Sequence, residues 1–413
     1  MRKIYSSVDI GSSFIKIVVL EEFNGKLNVL ASNSYPSSGI KKGLIVSEED
    51  AIKTIKNAFD EINTSLGIKV DKTIINVPIN NAKYALTTGY TTITGEDKLV
   101  SSEDILNSLQ ASIYNKIDES MELVTVIPIR YVIDDTSEVK NPRGIKANKL
   151  SVQSMMITIP KKTLYRHVGI FSKAGIEVVD VLISPLGDYY CFKEKDYDDN
   201  ICAVLNIGSD KTELSVFNKG IITNSSVIDS CSSIIEEDLS YIYNISLEKA
   251  IKIKNMFLLL DKEFSSSSEV YETKDLSGIK IRINQYETSE IAEKKIRELL
   301  EIAKKELNLL TKKEIRYIII TGGITNIPGF DSLIQKIFNE KGIVKTLNNI
   351  GVRNNSYSSS FGMIKFFIEK LKLRGRVYTM FNEDFEYRLI EKKNSDTKTF
   401  SKLFGYLFDN KED

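Results

Sequence analysis

Alternating apolar and polar positions predict three short strands at the start of the chain, near Lys3 to Ile10, Phe14 to Leu20 and Leu27 to Tyr35. Turn signals at Gly11 and at Asn24-Gly25 join them into a meander. The period then lengthens, predicting a helix from about Ser47 to Leu66, and a strand follows at Thr73 to Ile79. Between Asn80 and Pro160 a separate α+β pattern, with a helix near Ser102 to Ile117 and strands at Leu123 to Ile133 and Val152 to Ile159, reads as an inserted subdomain. A helix at Lys161 to Ala174 and a strand at Ile176 to Ile183 resume the first pattern. It then starts again with strands at Ile201 to Ile207 and Thr212 to Phe217, so the chain loosely repeats itself. Residues from Asp229 to Lys312 read as mostly helical, broken by a loop at Ser265 to Ser268. A strand at Ile315 to Thr321, a glycine turn and two helices complete the body near Leu373.

A chain of 413 residues exceeds the size at which one core keeps growing, so two or more subdomains are expected. Lys+Arg and Asp+Glu number 56 each, with 42% hydrophobic and 27% charged residues, so no global field attracts nucleic acid or another polyanion. Cys191, Cys202 and Cys231 lie outside any C-x-x-C pattern and His167 is the sole histidine, which makes zinc sites and cysteine-histidine nucleophiles poor readings. Met1 to Tyr5 runs straight into a strand, and no stretch reaches about 18 apolar residues. A cytoplasmic chain that does not span a membrane is expected.

Candidate chemistry concentrates at the glycine turns. In "VDIGSSFIK" an apolar strand ends in Asp9, turns at Gly11 and leaves as a strand, so backbone N–H groups and the hydroxyls of Ser12 and Ser13 point into one concavity suited to phosphate oxygens. Asp9 can order a hydrated magnesium ion, which commonly uses only one or two carboxylates. Taken alone, this segment is equally an ordinary β-hairpin. A second copy, "VLNIGSDKTEL", repeats the strand, the Gly208 turn with Ser209, and the returning strand about two hundred residues later. The pair is far more specific than either copy and predicts two hairpins facing each other across one nucleotide cleft. A third turn, "IIITGGITNIPGF", carries Gly322 and Gly323, whose bare backbone would let a flat ring approach.

These three turns, in this order, resemble the actin, sugar-kinase and heat-shock-chaperone ATPase superfamily. Within it, "YPSSGIKKGLIVSEEDAIKTIKNAF" and "VIPIRYVIDDTSEVKNPRG" resemble segments of the FtsA family of bacterial cell-division proteins, and the likeness covers nearly the whole chain. The resemblance implies an actin-like, ribonuclease H-like duplicated two-lobed α/β fold, with the family's own α+β insert at Asn80 to Pro160. It implies subdomains at 1–79 with 161–190, at 80–160, at 191–228 with 313–373 and at 229–312, then a linker at 374–395 and a membrane-targeting helix at 396–413. It also implies a job: to bind the C-terminal tail of the tubulin-like protein FtsZ, self-assemble into actin-like filaments, and hold the division ring on the inner membrane face. Other division proteins would dock as well.

Departures from the family pattern bear on ATP and magnesium. The second loop usually opens with an acid followed by three glycines and a threonine, but here Asn206 opens it and Asp210 and Lys211 add bulk and charge. Without that carboxylate, hydrolysis should suffer more than binding, so at most a slow ATPase is expected, with ATP held weakly or structurally and no catalytic residue assigned. In the first loop the usual lysine position is Phe14, and Lys16 lies about 7 Å further along the same strand face; its long stem could still reach a phosphate. The ribose-contact helix keeps Lys254 but has Ile251 in place of glutamate. In "EIAEKKIRELLEIAKKEL" the family's tail-binding arginine is replaced by Lys295, and Arg297 lies about 200° further round the helix.

Near the C-terminus, Phe400, Leu403, Phe404, Leu407 and Phe408 form one apolar helical stripe. Full burial would contribute roughly 7 to 15 kcal/mol gross before ordering entropy is subtracted. A single such anchor is weak, and many on one filament hold firmly. The stripe also fits a helix docked on the protein's own body. Competing functions are another actin-fold membrane adaptor of the pilus-assembly type, or a sugar-kinase-like phosphotransferase, which the missing acid disfavours.

Overall fold

Tyr5 to Val8 are buried on both faces of strand β1 (Lys3–Ile10), which places β1 inside a sheet rather than at its edge. In this computed structural model, which describes residues 2–380, β1 pairs antiparallel with β2 (Phe14–Phe23), and β2 antiparallel with β3 (Lys26–Pro36). Helix α1 (Glu48–Leu66) follows, capped by the Ser47 side chain and ended by Gly67 at φ 64°. Strand β4 (Lys72–Val77) then returns parallel to β1.

The insertion comes next. Strands β5 (Lys83–Thr92), β6 (Met121–Ile133), β7 (Ser137–Val139) and β8 (Lys149–Pro160) pair antiparallel in the order β5-β8-β6-β7, with α2 (Ser102–Ile113) against β5 and β8. Helix and sheet touch through small residues: a Cβ on Gly89 would overlap the backbone of Ser108 and Ser112, and the hydroxyls of Thr87 and Ser112 each lie 2.9 Å from that of Ser154. After α3 (Lys161–Lys173), β9 (Glu177–Ile183) completes the first sheet as β9-β4-β1-β2-β3, and α4 (Ser184–Phe192) leaves it.

The second sheet repeats the first strand for strand. Strands β10 (Ile201–Ile207), β11 (Thr212–Asn218) and β12 (Ile221–Ile228) form the antiparallel meander. Helices α5 (Ile234–Ile242) and α6 (Leu247–Met256), the hairpin β13 (Val270–Lys274) with β14 (Lys280–Asn284), and α7 (Gln285–Leu310) intervene. Then β15 (Tyr317–Thr321) adds parallel to β10 and, after α8 (Phe330–Phe338), β16 (Gly342–Val344) adds parallel to β15. Leu205, Leu214 and Val216 bury one face of this sheet with Ile296 and Leu300 of α7 and Leu333 of α8. The last helix is α9 (Ser358–Arg374).

The described residues cluster into two compact units, residues 2–191, 349–352 and 359–380 in one, and 192–348 with 353–358 in the other. Within the first unit, Lys370 of α9 donates to both oxygens of Asp180 on β9 at 2.9 and 2.7 Å. Burial pushes this ammonium's pKa down, and the Asp180 carboxylate pulls it part of the way back. Tyr378, in the stretch expected to be a linker, packs edge-on against Phe367; the stripe Phe400, Leu403, Phe404, Leu407 and Phe408 lies outside the described residues. No helix among the described residues is long and apolar enough to cross a membrane.

The structure adds strands that the hydrophobic pattern did not predict. The stretch from Asp229 to Lys312 is mostly helical as expected, but it also holds β13 and β14, a hairpin whose outward positions are charged and whose strands are only five residues each. Strands β5 and β12 gave no pattern either: β5 turns Thr87 and Gly89 inward, and β12 fully buries only Ile222.

Helices α4 and α9 cross at glycine. A Cβ on Gly362 would overlap the Gly187 carbonyl oxygen and come 2.6 Å from the Cys191 nitrogen. Gly362→Ala should therefore cost about 3 kcal/mol, while Gly169→Ala in α3, where nothing lies within 4 Å, should stabilise by up to about 1 kcal/mol. Chemical denaturation of both variants checks this, and equal stabilities would show that the crossing is not tight.

Candidate functional site

In the first unit the turn after β1 closes on itself. The Gly11 N–H donates to the Phe14 carbonyl at 3.2 Å, and a Cβ on Gly11 would lie 2.6 Å from that oxygen, so only glycine fits. Ser13 is exposed, its carbonyl accepting the Ser37 N–H at 2.9 Å. Ser12 is half-buried and accepts the Gly43 N–H on its Oγ at 3.1 Å.

Side chains of residues in register share one face of a sheet. Asp9 stands opposite Lys16, whose Nζ lies 2.9 Å from Asp9 Oδ2. On the other side, Asn76 donates to Asp9 Oδ1 at 2.7 Å and to Ser184 Oγ at 2.9 Å, while its own oxygen accepts the Ile10 N–H at 2.6 Å. Lys16, expected to reach a phosphate, is held by the acid next to it. Among the described residues no cluster of three or more His, Cys, Asp or Glu could cage a metal. A hydrated magnesium ion needs no cage, and Asp9 suits contact through its water shell.

The second unit closes its hairpin in the same way. The Gly208 N–H donates to the Lys211 carbonyl at 3.0 Å, and a Cβ there would lie 2.8 Å from that oxygen. The row of side chains differs: Asn206 takes the place of Asp9, Glu213 that of Lys16, and Thr321 stands in register on the far side. Glu213 is 6% exposed and its Oε1 lies 2.6 Å from Lys211 Nζ, an ion pair by distance without hydrogen-bond alignment. The hydroxyl of Thr321 is buried without a hydrogen-bond partner. The acid missing at 206 has a counterpart one strand further out. Its position was readable, since Glu213 follows Asn206 by seven residues, as Lys16 follows Asp9.

Two further elements brace this hairpin. The Ser232 N–H donates to Gly208 O at 2.9 Å and the Ser233 N–H to Ser209 O at 3.3 Å. Lys254, buried on α6, bonds Ser232 at its carbonyl and hydroxyl and pairs with Glu236 Oε1 at 2.8 Å. Lys254 thus holds the segment at 232 and 233 in place, and its charge is already met. Gly322 also has a local reason: at φ 102° its missing Cβ would overlap Ile207 O and lie 3.1 Å from Asn206 Oδ1. The expected close approach of a flat ring remains open only at Gly323, which is exposed, with Ser356 Cβ 4.0 Å from where its own Cβ would stand.

The partner-face candidates are both occupied. Lys295 lies 3.2 Å from Asp238 of α5, and Arg297 donates to Glu293 Oε1 at 2.9 Å one turn back. Lys16, Lys211, Lys254, Lys295 and Arg297 each have a carboxylate within 3.2 Å. An incoming anion must therefore compete with an internal one.

Comparison with known proteins agrees with this architecture. A family model for the cell division protein FtsA matches residues 203–362, and a model for the SHS2 domain inserted in FtsA matches residues 81–158, the span of β5 to β8. The cell division protein FtsA of Bacillus subtilis is 29% identical over 376 residues, covering 91% of this chain and 86% of that protein. FtsA of Staphylococcus epidermidis is 25% identical over 410 residues, covering 98% and 87%. Among solved structures, a chain of the PilM-PilN type IV pilus biogenesis complex superposes with TM-score 0.58 at 13% identity, covering 87% of this chain and 96% of that one. MreB5 of Spiroplasma citri bound to ADP superposes with TM-score 0.54 at 12% identity, covering 90% and 98%. At these identities the structural likeness shows the fold, which is the duplicated actin-like one.

The pairing of Lys211 with Glu213 is testable by itself. Lys211→Met leaves a nearly buried carboxylate without its cation and should cost about 3 kcal/mol at neutral pH, most of it recovered when Glu213→Gln is added. Urea denaturation of the four proteins of the cycle measures this; strictly additive losses would show the two side chains to be uncoupled.

Proposed function

We propose that this chain, which belongs to the FtsA family of cell-division proteins, is an actin-fold scaffold that binds FtsZ and tethers the division ring to the cytoplasmic face of the membrane. The observation that carries the reading is the insertion between β4 and α3, which matches the SHS2 domain of FtsA and sits in the first half of a duplicated fold. The apolar stripe from Phe400 to Phe408 supports membrane attachment, and the neutral overall charge fits a scaffold that uses no broad electrostatic attraction.

Nucleotide enters this reading as a weakly held, structural or switching ligand. The backbone of Gly11 to Ser13 with the Ser12 hydroxyl, and the Gly208-Ser209 turn, would bind phosphate oxygens. Asp9 would order a hydrated magnesium ion, and Gly323 would lie nearest the base. The bound ADP of MreB5 supports a nucleotide in this fold. Magnesium would supply charge neutralisation at the phosphates. Hydrolysis is expected to be slow, because Asn206 accepts no proton and Glu213 is held by Lys211.

The partner contact assigned to α7 requires an acidic tail to draw Lys295 away from Asp238, which favours a weak interaction that filament formation would multiply.

Titration with ATP and magnesium should give saturable binding of about micromolar strength or weaker, with phosphate release far below that of a competent actin-like ATPase. Rapid turnover would overturn the structural-ligand reading. Anionic vesicles should sediment the chain and, through it, FtsZ. Deleting residues 396–413 should abolish both, and Lys295→Gln should reduce only FtsZ; equal sedimentation with and without 396–413 would remove the tether from the proposal.

A further inference from the structure

Gly43 joins two parts of the first unit that the sequence keeps far apart. It sits at the tip of a tight hairpin in which Ile40–Lys41 pairs with Leu44–Ile45, and Lys42 and Gly43 turn with φ of 50° and 73°. The tip is buried at Gly43 while Lys41 and Lys42 are exposed. Its N–H donates to Ser12 Oγ at 3.1 Å, and its carbonyl oxygen lies 3.0 Å from His167 Nε2. The other ring nitrogen of His167, Nδ1, lies 2.8 Å from the carbonyl oxygen of Thr163 one turn back on α3.

Each ring nitrogen therefore has a carbonyl oxygen at hydrogen-bond distance, and a carbonyl accepts and cannot donate. A neutral ring has one N–H and satisfies one of them, turning a lone pair toward the other; the imidazolium satisfies both. The ring is buried. Titratable groups on the elements packed against α3 are Glu48, Glu49, Asp50, Lys53, Lys56, Asp60 and Glu61 on α1, Lys41 and Lys42 beside the hairpin tip, Lys72 on β4, Glu122, Arg130 and Tyr131 on β6, Lys149 on β8, and Glu177 and Asp180 on β9. Several are engaged elsewhere: Glu48 with Arg166 and Lys173, Glu122 with Tyr165, and Asp180 with Lys370.

The consequence falls on Ser12. Because its Oγ accepts from Gly43, its own proton is left to donate outward from the turn, which is the role a phosphate oxygen requires. We propose that His167 is a positioning residue for the first phosphate hairpin, and that its proton sets how firmly Gly43 holds the Ser12 hydroxyl as a donor toward a nucleotide phosphate. The doubly protonated ring donates to Gly43 O through Nε2 and to Thr163 O through Nδ1; the neutral ring keeps only one of these bonds, and its Nδ1–H tautomer gives up Gly43 and loosens the tip. This rests on reading the first hairpin as a nucleotide-phosphate cradle.

His167 is the sole histidine of the chain, so NMR of the full-length protein with labelled histidine gives one ring signal to titrate. Affinity for ADP with magnesium is measured from about pH 5.5 to about pH 8.5, where an imidazole changes charge, for the natural chain and for His167→Gln. That variant keeps an N–H donor group and does not titrate. The nucleotide's own phosphate titrates equally in both series, so the ratio of affinities reports the ring. The ratio should fall about three- to tenfold as pH rises through the ring's titration. By linkage, saturating nucleotide should move the ring's midpoint to higher pH. A flat ratio with binding intact, or a midpoint that nucleotide leaves in place, overturns the inference alone. Absence of saturable binding at every pH overturns the cradle reading and the inference with it. Should the glutamine variant fail to fold, the midpoint measured on the natural chain decides.

Discussion

The close crossing of α4 and α9 is the constraint on which the first unit depends. Neither helix could approach the other so closely with side chains at Gly187 and Gly362. Their approach brings polar groups from both helices to β1. Ser184 at the start of α4 accepts from Asn76, which in turn holds Asp9 and the Ile10 N–H. Near the start of α9, the Ser360 carbonyl accepts from Ser7 Oγ, and its hydroxyl donates to Lys16 O at 3.4 Å. The hairpin carrying Asp9, Gly11 and Lys16 is thus fixed by groups that the glycine crossing delivers. Packing, not turn chemistry alone, holds this hairpin in shape.

The strands of the two meanders were legible because their hydrophobic pattern is strong and their ends are marked. Ile201–Ile207 is an apolar run bounded by Asn200 and Gly208, and its limits match expectation. The repeated sheet order follows from the same signal read twice. What stayed hidden depends on contacts between distant residues. Gly89 carries no signal in the sequence, and only the fold shows Ser108 and Ser112 of α2 occupying the place of its missing side chain. The strands β13 and β14 lack an apolar face long enough to register, and they are fixed by each other and by α7.

Site residues were harder to read than strands, because a motif gives positions and not partners. Lys254 fits a nucleotide-contact pattern on its helix, yet its nitrogen is held by Glu236 and Ser232. Gly322 fits a base-approach turn, yet the space it opens is filled by the end of β10. Conversely, the run around Asn206 reads as a loss of acid because attention falls on the first position of the motif. The hairpin makes position 213 its neighbour, and there a carboxylate stands.

That exchange changes what the second hairpin can do. In the first unit the acid occupies the central strand, between a lysine on β2 and an asparagine on β4, so both its oxygens are ordered and it can still meet a cation's water shell. In the second unit the central position is an amide, which neither takes a proton nor carries charge. The acid lies one strand out, nearly buried, with a lysine from the turn against it. Freeing Glu213 to act on water would leave its charge with no cation in a low-dielectric setting, at a cost that phosphate contact with Lys211 would have to offset. If this hairpin meets a nucleotide, as we propose, that cost weighs against cleavage more than against binding.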